Sequence, residues 1–392
     1  MLTSLNKDSN YNRRFYSQYY TRNDVSSVLI QKLGHLSESP KIIDLSMGEG
    51  SLLHAARAAY PEALLYGCDI DANNVKTVAE NTFLKARAIH IDSTSSEIIK
   101  NFESDFDLII GNPPFGNTKK TTFLNKILDE FSCNCSSIKT PLELIFLLIG
   151  IKLLKDDGVI SYIVPDGLLT NKRLEPLREF LYNNYTILSV TYLGKKRFER
   201  TEACTHILTI RKKKLKEKYK IKLESTDHPL NDVFITKEEF VCRADYSFHT
   251  RAVRLNATTL KNLEVELIRG KIPKSNLKSM DVDYLHTTSF TCEHNLFSND
   301  NVESGYSIAK EGDILIARVG TRSVGKIGCI SRGSFYISDC VIIIRANSCE
   351  IRDSILSTLK SPFGKSWLKS ISKGVGAKHI TMSDLKELPV FI

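Results

Sequence analysis

Phe106-Asp107-Leu108-Ile109-Ile110-Gly111-Asn112-Pro113-Pro114-Phe115 is the stretch on which the reading of this chain turns. Its first six residues form an apolar run ending at glycine, the pattern of a buried strand that enters a turn. Pro113 and Pro114 have no backbone N–H and a fixed φ, so they hold the turn stiff and extended. Their carbonyls stay outside any ladder on that side, and the Asn112 side chain adds a further acceptor. Phe115 contributes a flat apolar face. A rigid set of acceptors beside an aromatic plate suits a planar amino group, such as that of adenine. Pro-Pro alone would read as an ordinary strand end; Asn before it and an aromatic after it make the four residues a candidate site.

Outward from this strand, Lys41 to Arg211 alternates strand-like and helix-like segments, as a parallel sheet with crossover helices does. The strands are expected at 41–45, 64–68, 86–91, 106–110, 158–164, 187–193 and 206–211, and the helices at 51–59, 73–83, 123–130, 141–154 and 174–183. A further helix is expected over 19–33, before the first strand. The last two strands follow each other with no helix between them, which predicts an antiparallel hairpin at one edge of the sheet. A basic run at 211–220 marks an exposed strand end or linker. Beyond about Phe240 the βα rhythm gives way to short strand-like runs and two helices. The chain therefore divides into an α/β domain over 1–240 and a smaller, mixed or β-rich domain over 241–392.

Three other strand ends carry chemistry. Asp44-Leu45-Ser46-Met47-Gly48-Glu49-Gly50-Ser51 joins the first strand to a helix, and its glycines let backbone approach a ligand where doubly wound sheets bind cofactors. The same letters also fit a plain tight βα turn. They are neither GxGxxG nor a Walker A motif, which disfavours a pyrophosphate or triphosphate. The second strand runs into Asp69-Ile70-Asp71, where an acid can accept both hydroxyls of a ribose; Asp71 also has the place of a helix N-cap. Asp92 ends the third strand and can accept from an amino group. Together these ends form a candidate nucleoside pocket built from Asp44, Ser46, Gly48, Gly50, Asp69, Ile70, Asp92 and Asn112.

Composition bounds the rest. The 392 residues suffice for two ordinary domains, and 42% hydrophobic with 25% charged residues is a soluble globular balance. A net charge of +9 favours a polyanionic partner without requiring one. Nine cysteines with no CxxC pair predict reduced thiols in a cytoplasmic protein. No signal peptide or membrane-spanning run is expected, since the apolar stretch 142–151 is too short to cross a bilayer. The histidines show no ligand spacing, so no metal site is expected.

With these motifs in hand, the chain resembles the γ-class, TaqI-like adenine-N6 DNA methyltransferases. Tyr19-Tyr20-Thr21 resembles the family's N-terminal cofactor motif, although Arg22 stands where proline is usual. The segments 153–158, 162–165 and 176–181 match later motifs. The resemblance implies a Rossmann-like sheet using S-adenosylmethionine, with Tyr20 and Thr21 at the cofactor, Asp44 and Gly48 near its methionine moiety, Asp69 on its ribose and Asp92 on its adenine amine. Asn112, Pro113, Pro114 and Phe115 would be catalytic. An aromatic after Tyr192-Leu193-Gly194 would pack on a flipped base: Phe198, with Tyr192 as the alternative and a hairpin-core role for Phe198 also open. The segments 311–320, 325–328 and 380–390 resemble the family's target-recognition domain and, more loosely, type I specificity subunits.

Double-stranded DNA is thus the implied partner, with a cognate restriction endonuclease as a further one and a monomer or weak dimer as the acting form. Lys195, Lys196, Arg318, Arg322 and Lys326 are candidate DNA contacts; Arg332, Lys365, Lys373 and Lys378 are further basic residues of the same half. The Asn-Pro-Pro-aromatic motif also occurs in methyltransferases of RNA and of protein glutamine. A DNA-binding specificity subunit without activity is a third reading.

Overall fold

The computed structural model describes residues 22–33, 36–133, 139–194, 204–215, 217–251, 258–303, 305, 307–374 and 377–391. Tyr20, Thr21, Lys195, Lys196 and Phe198 lie outside the described residues, as does the start of the helix expected from 19. The chain divides into two compact units, Met1–Tyr246 and Ser247–Ile392.

The first unit contains β1 (Lys41–Asp44), β2 (Leu64–Asp69), β3 (Arg87–His90), β4 (Phe106–Gly111), β5 (Asn117–Lys119), β6 (Lys139–Pro141), β7 (Leu154–Pro165), β8 (Thr186–Tyr192), β9 (Thr205–Arg211), β10 (Ile221–Ser225) and β11 (Val233–Ile235). Nine of these form one sheet in the order β11-β10-β8-β9-β7-β4-β1-β2-β3, while β5 and β6 make a separate two-stranded ribbon. The strands from β3 to β7 in that order are parallel. β9 runs antiparallel to both of its neighbours. The chain winds outward in opposite directions from β1 and β4, so a crevice opens at their C-terminal ends.

A parallel sheet covered on both faces needs apolar side chains at nearly every position, and that is why β4 reads as a continuous apolar run. Successive residues serve opposite layers. Ile42, Leu108 and Ile110 pack with Leu52, Leu53 and Ala56 of the helix Ser51–Ala59 and with Leu29 of the helix Asn23–Gln31. Ile43, Ile109 and Ile160 face the other layer, with Leu144, Ile145 and Leu148 of the helix Leu142–Leu153. That helix is apolar all round because it lies inside the fold. Among the described residues no helix is long and apolar enough to cross a membrane.

The β8–β9 hairpin is antiparallel as expected, but it does not lie at an edge: β10 pairs with β8 and β11 with β10, so the sheet continues past it. In β10 the apolar Ile221 and Leu223 alternate with Lys222 and Glu224, a strand buried except at Lys222 that the neighbouring basic run obscured. Lys222 is held between Glu224 at 2.7 Å and Asp232 at 2.9 Å.

The second unit is built on a five-stranded sheet in the order β13-β20-β17-β18-β15, formed by Val265–Arg269, Val341–Ala346, Ile314–Ala317, Ile327–Arg332 and His294–Ser298. A three-stranded sheet of β14 (Tyr284–Leu285), β19 (Ser334–Ile337) and β16 (Ile308–Lys310) and the small pair of β12 (Thr258–Thr259) with β21 (Pro389–Val390) complete it. Ile314, Ile316, Ile342 and Ile344 pack with Ile355 and Leu359 of the helix Cys349–Lys360 and with Trp367 and Leu368 of the helix Pro362–Ile371. The alternate residues Leu315, Ala317 and Ile343 pack with Phe290, Phe335 and Ile337 on the other side.

Arg178 locks the first unit together. It is 1% exposed, and its guanidinium donates to the carbonyls of Val241 (2.8 Å), Cys242 (3.0 Å), Leu168 (3.1 Å) and Asn171 (3.1 Å). Removing it leaves these buried acceptors without their donors. Arg178→Ala is therefore expected to lower unfolding stability by roughly 3 kcal/mol or more, and Arg178→Lys to recover only part of that loss because a point charge cannot reach four carbonyls. Urea denaturation checks this; an unchanged midpoint for the alanine variant would contradict the assigned role.

Candidate active site

The turn after β1 is shaped by the end of β2. Gly48 has φ 53° and Gly50 φ 84°, both in the left-handed region where glycine is favoured. The Met47 N–H donates to the Cys68 carbonyl at 2.9 Å, and the Gly48 N–H donates to Asp69 Oδ2 at 2.8 Å. Asp69 Oδ1 accepts the Asp71 N–H at 2.8 Å. Asp69, 6% exposed, thus braces both the glycine turn and its own loop. Asp71 accepts the Asn73 N–H at 2.9 Å and caps the following helix. Between the two acids, Ile70 is 43% exposed at the strand end, an apolar face left uncovered. Asp92 is exposed after β3, and its Oδ1 accepts from the Thr94 N–H (2.8 Å) and hydroxyl (2.7 Å).

Asp44 lies deeper. It is 1% exposed, and its Oδ1 accepts the Ser46 N–H at 2.9 Å. Burial pushes its carboxyl up to about 7, against the lowering effect of the Ser46 N–H and with a further rise from Asp69. Burial likewise raises Asp69, against the N–H bonds from Asp71 and Gly48. Next to Asp44, β4 delivers its motif. A Cβ on Gly111 would stand 3.4 Å from Asp44 Oδ1 and 2.8 Å from the Tyr162 ring, so glycine lets the start of the Asn112 turn approach this carboxylate. Asn112 is half-buried, as are Pro114 and Phe115, while Pro113 is buried. Phe115 packs against the layer that contains Leu52 and Leu53.

The structure thus gathers Asp44, Ser46, Gly48, Gly50, Asp69, Ile70, Asp92 and Asn112–Phe115 at the ends of four adjacent strands. Tyr192 has a different setting: it is buried, stacked on Tyr246 with centroids 6.4 Å apart and 5.4 Å from His206. Two residues near this edge had no sequence signal. Glu143, 9% exposed, accepts the N–H of Gly116, and burial pushes its carboxyl up to about 7. It reads in sequence as an acid opening a helix, and its burial depends on the β5–β6 ribbon. His206 is buried, and that burial lowers it to about 4, so it is neutral at pH 7.

In the second unit, Arg318 follows β17, Arg322 is exposed on the Gly320–Gly325 turn, and Lys326 precedes β18. Lys326 donates to the Phe290 carbonyl at 2.9 Å and to that of Thr291 at 3.4 Å, so its ammonium is committed within the unit.

The first-unit crevice therefore holds two buried carboxylates, an exposed one, a glycine cradle and the Ser46 Oγ, which is buried without a hydrogen-bond partner among the described residues. Such a lining repels phosphate and suits a ligand with cationic and hydroxyl groups beside a flat apolar one. S-Adenosylmethionine has that chemistry, with its sulfonium and amino cations, its ribose hydroxyls and its flat adenine. Among the described residues no group of three or more His, Cys, Asp and Glu side chains is placed to hold a metal ion.

With its sheet order and strand-end acids, the first unit is of the Rossmann-like, S-adenosylmethionine-dependent methyltransferase class. Residues 68–198 match the Eco57I restriction-modification methylase family. The chain is 24% identical over 201 residues to the type II methyltransferase M.CvrRI of Paramecium bursaria Chlorella virus XZ-6E, covering 50% of this chain and 48% of that protein. It is 29% identical over 100 residues to ribosomal RNA small subunit methyltransferase C of Cronobacter sakazakii, 26% of this chain and 29% of that one. Its fold is similar to that of the type IIG restriction endonuclease BpuSI, with a TM-score of 0.50 at 14% identity over 94% of this chain and 58% of that one. The family match lies within the first unit, and that segment carries the likeness to restriction-modification methylases. The chain spans about half the length of the viral relative it matches.

Asp44 gives this site a pH signature. Its carboxyl rises from 3.8 to about 7 on folding, so between those values the folded state holds a proton that the unfolded chain has lost. Stability from this group is full below pH 3.8 and is lost as pH rises through about 7. Asp44→Asn is therefore expected to stabilise the cofactor-free protein at pH 8, by on the order of a few kcal/mol, and to change it little at pH 4. Urea denaturation at both pH values reads this; an asparagine variant that is less stable than wild type at pH 8 would contradict it.

Proposed function

We propose that this chain methylates N6 of an adenine flipped out of double-stranded DNA, with Asn112, Pro113, Pro114 and Phe115 forming the acceptor site. The observation that carries this reading is the placement of that motif beside Asp44, at the sheet edge where the donor-binding acids converge. When bound, S-adenosylmethionine supplies a methyl group on a sulfonium centre. The chain's own residues do the rest. An exocyclic amine is a poor nucleophile because its lone pair is delocalised into the ring. The Asn112 side-chain carbonyl and the Pro113 backbone carbonyl accept its two N–H groups and draw the nitrogen toward tetrahedral geometry, which frees the lone pair. Phe115 stacks on the extruded base and offsets part of the unstacking cost. The proton leaves to solvent once the nitrogen carries positive charge, so positioning and fixed dipoles suffice.

Two features favour DNA. The chain continues into a compact β-rich unit whose sequence resembles target-recognition domains, and it carries a net charge of +9. Ser247–Ile392 is then the recognition part and Met1–Tyr246 the methyltransferase part, in a system with a cognate endonuclease. The chain also matches a ribosomal RNA methyltransferase over 100 residues, so RNA is the competing substrate.

Incubation with methyl-labelled donor and separate DNA, RNA and protein arms tests the reading, with nucleoside analysis of the product. Label is expected in DNA as N6-methyladenine. Asn112→Ala should reduce that incorporation by at least ~10²-fold while donor affinity stays within a few-fold. Label confined to RNA or protein, or wild-type turnover by the alanine variant, would overturn it.

A further inference from the structure

We infer that Arg269, Arg318 and His379 form a binding site for a backbone phosphate in the second unit, resting on the DNA reading above. The basic residues of this half divide by what they already touch. Arg332 is paired with Asp300 at 2.8 Å, Lys365 with Glu293 at 2.6 Å, and Lys373 with Asp384 at 2.8 Å. Lys326 is held by two carbonyls. Arg318 has no carboxylate within ion-pair distance among the described residues, and neither does Arg269, a β13 residue that the sequence did not single out.

These two arginines converge from distant parts of the chain. Arg269 Nε donates to the Asp339 carbonyl at 3.3 Å, and Arg318 Nη1 donates to the same oxygen at 3.4 Å. Two guanidinium groups sharing one neutral acceptor keep most of their donors for something else. His379 joins them through the backbone: it bridges to Val319, the Ile380 N–H donates to the Arg318 carbonyl at 2.9 Å, and the Gly320 N–H donates to that of Lys378 at 2.9 Å. Burial, then Arg318, Lys373 and Arg269, lower the His379 ring, while Asp384 opposes them. Arg318 is lowered too, by burial and by Arg269, with Cys340 and Asp339 opposing.

Two guanidinium groups and a protonatable ring are therefore held together, and Asp339 and Asp384 only partly offset them. Such an arrangement costs free energy in the free protein and is relieved by an anion. Arginine presents several donors in a fixed fork, which fits the oxygens of a phosphodiester. Contacts of this kind position a protein on nucleic acid without reading sequence.

Fluorescence anisotropy on a labelled DNA duplex across a salt series tests the site. Each phosphate that the protein ceases to neutralise should shallow the slope of log affinity against log salt by roughly 0.9. R269A/R318A is expected to flatten it by about one to two of these steps and to weaken binding at least ~10-fold at 0.1 M salt. R332A, whose guanidinium is already paired, should match wild type. Trp367 is the single tryptophan of the chain and is buried in this unit, so its emission reports whether a variant is folded. A folded double variant with the wild-type slope would overturn the site, even if DNA methylation persists. Wild-type protein that binds no DNA would overturn the DNA reading and the site with it.

Discussion

The bond from the Gly48 N–H to Asp69 fixes the relation between the first two strand ends, and the rest of the crevice depends on it. It ties the glycine turn after β1 to the acid after β2. Asp44 is left beneath the turn, where the Ser46 amide answers its charge. A fold gains nothing from burying two carboxylates so close together; the cofactor-free protein bears a desolvation cost there. That cost makes sense if the site is built for a ligand that brings positive charge and hydroxyl donors. The turn of Asn112, Pro113, Pro114 and Phe115 is then held beside that ligand by the pairing of β4 with β1.

Much of this was legible in the sequence. Parallel strands buried on both faces make continuous apolar runs, so β1, β2, β4 and β7 stood out along with the helices between them. The acids at 44, 69 and 92 were visible because each follows such a run directly. What was not legible came from contacts between distant segments. The alternating residues of β10 were hidden beside a basic run, which is why the hairpin was expected at an edge. Glu143 reads as a helix-opening acid, and only the β5–β6 ribbon puts it under Gly116. Arg178 stands in a segment that matches a family motif, but its carbonyl partners at 241 and 242 lie far along the chain.

The basic residues of the second unit give the plainest case. In sequence, Arg318, Arg332, Lys365 and Lys373 are equivalent charges. In the fold, three of the four are neutralised by a carboxylate, and Arg318 instead meets Arg269 across the Asp339 carbonyl. Composition counts charges; only tertiary structure says which are uncompensated. The match to the Eco57I methylase family covers residues 68–198, so the second unit is read from its own surface.

The crevice as a donor site is tested most directly by titration calorimetry with S-adenosylmethionine near pH 7, in two buffers of different ionisation enthalpy. Asp44, raised to about 7 in the free protein, should ionise beside the positively charged donor. Affinity is therefore expected to rise with pH through that value, with net proton release that Asp44→Asn removes. Tight binding with no proton released, or no binding at any pH, would contradict the assignment.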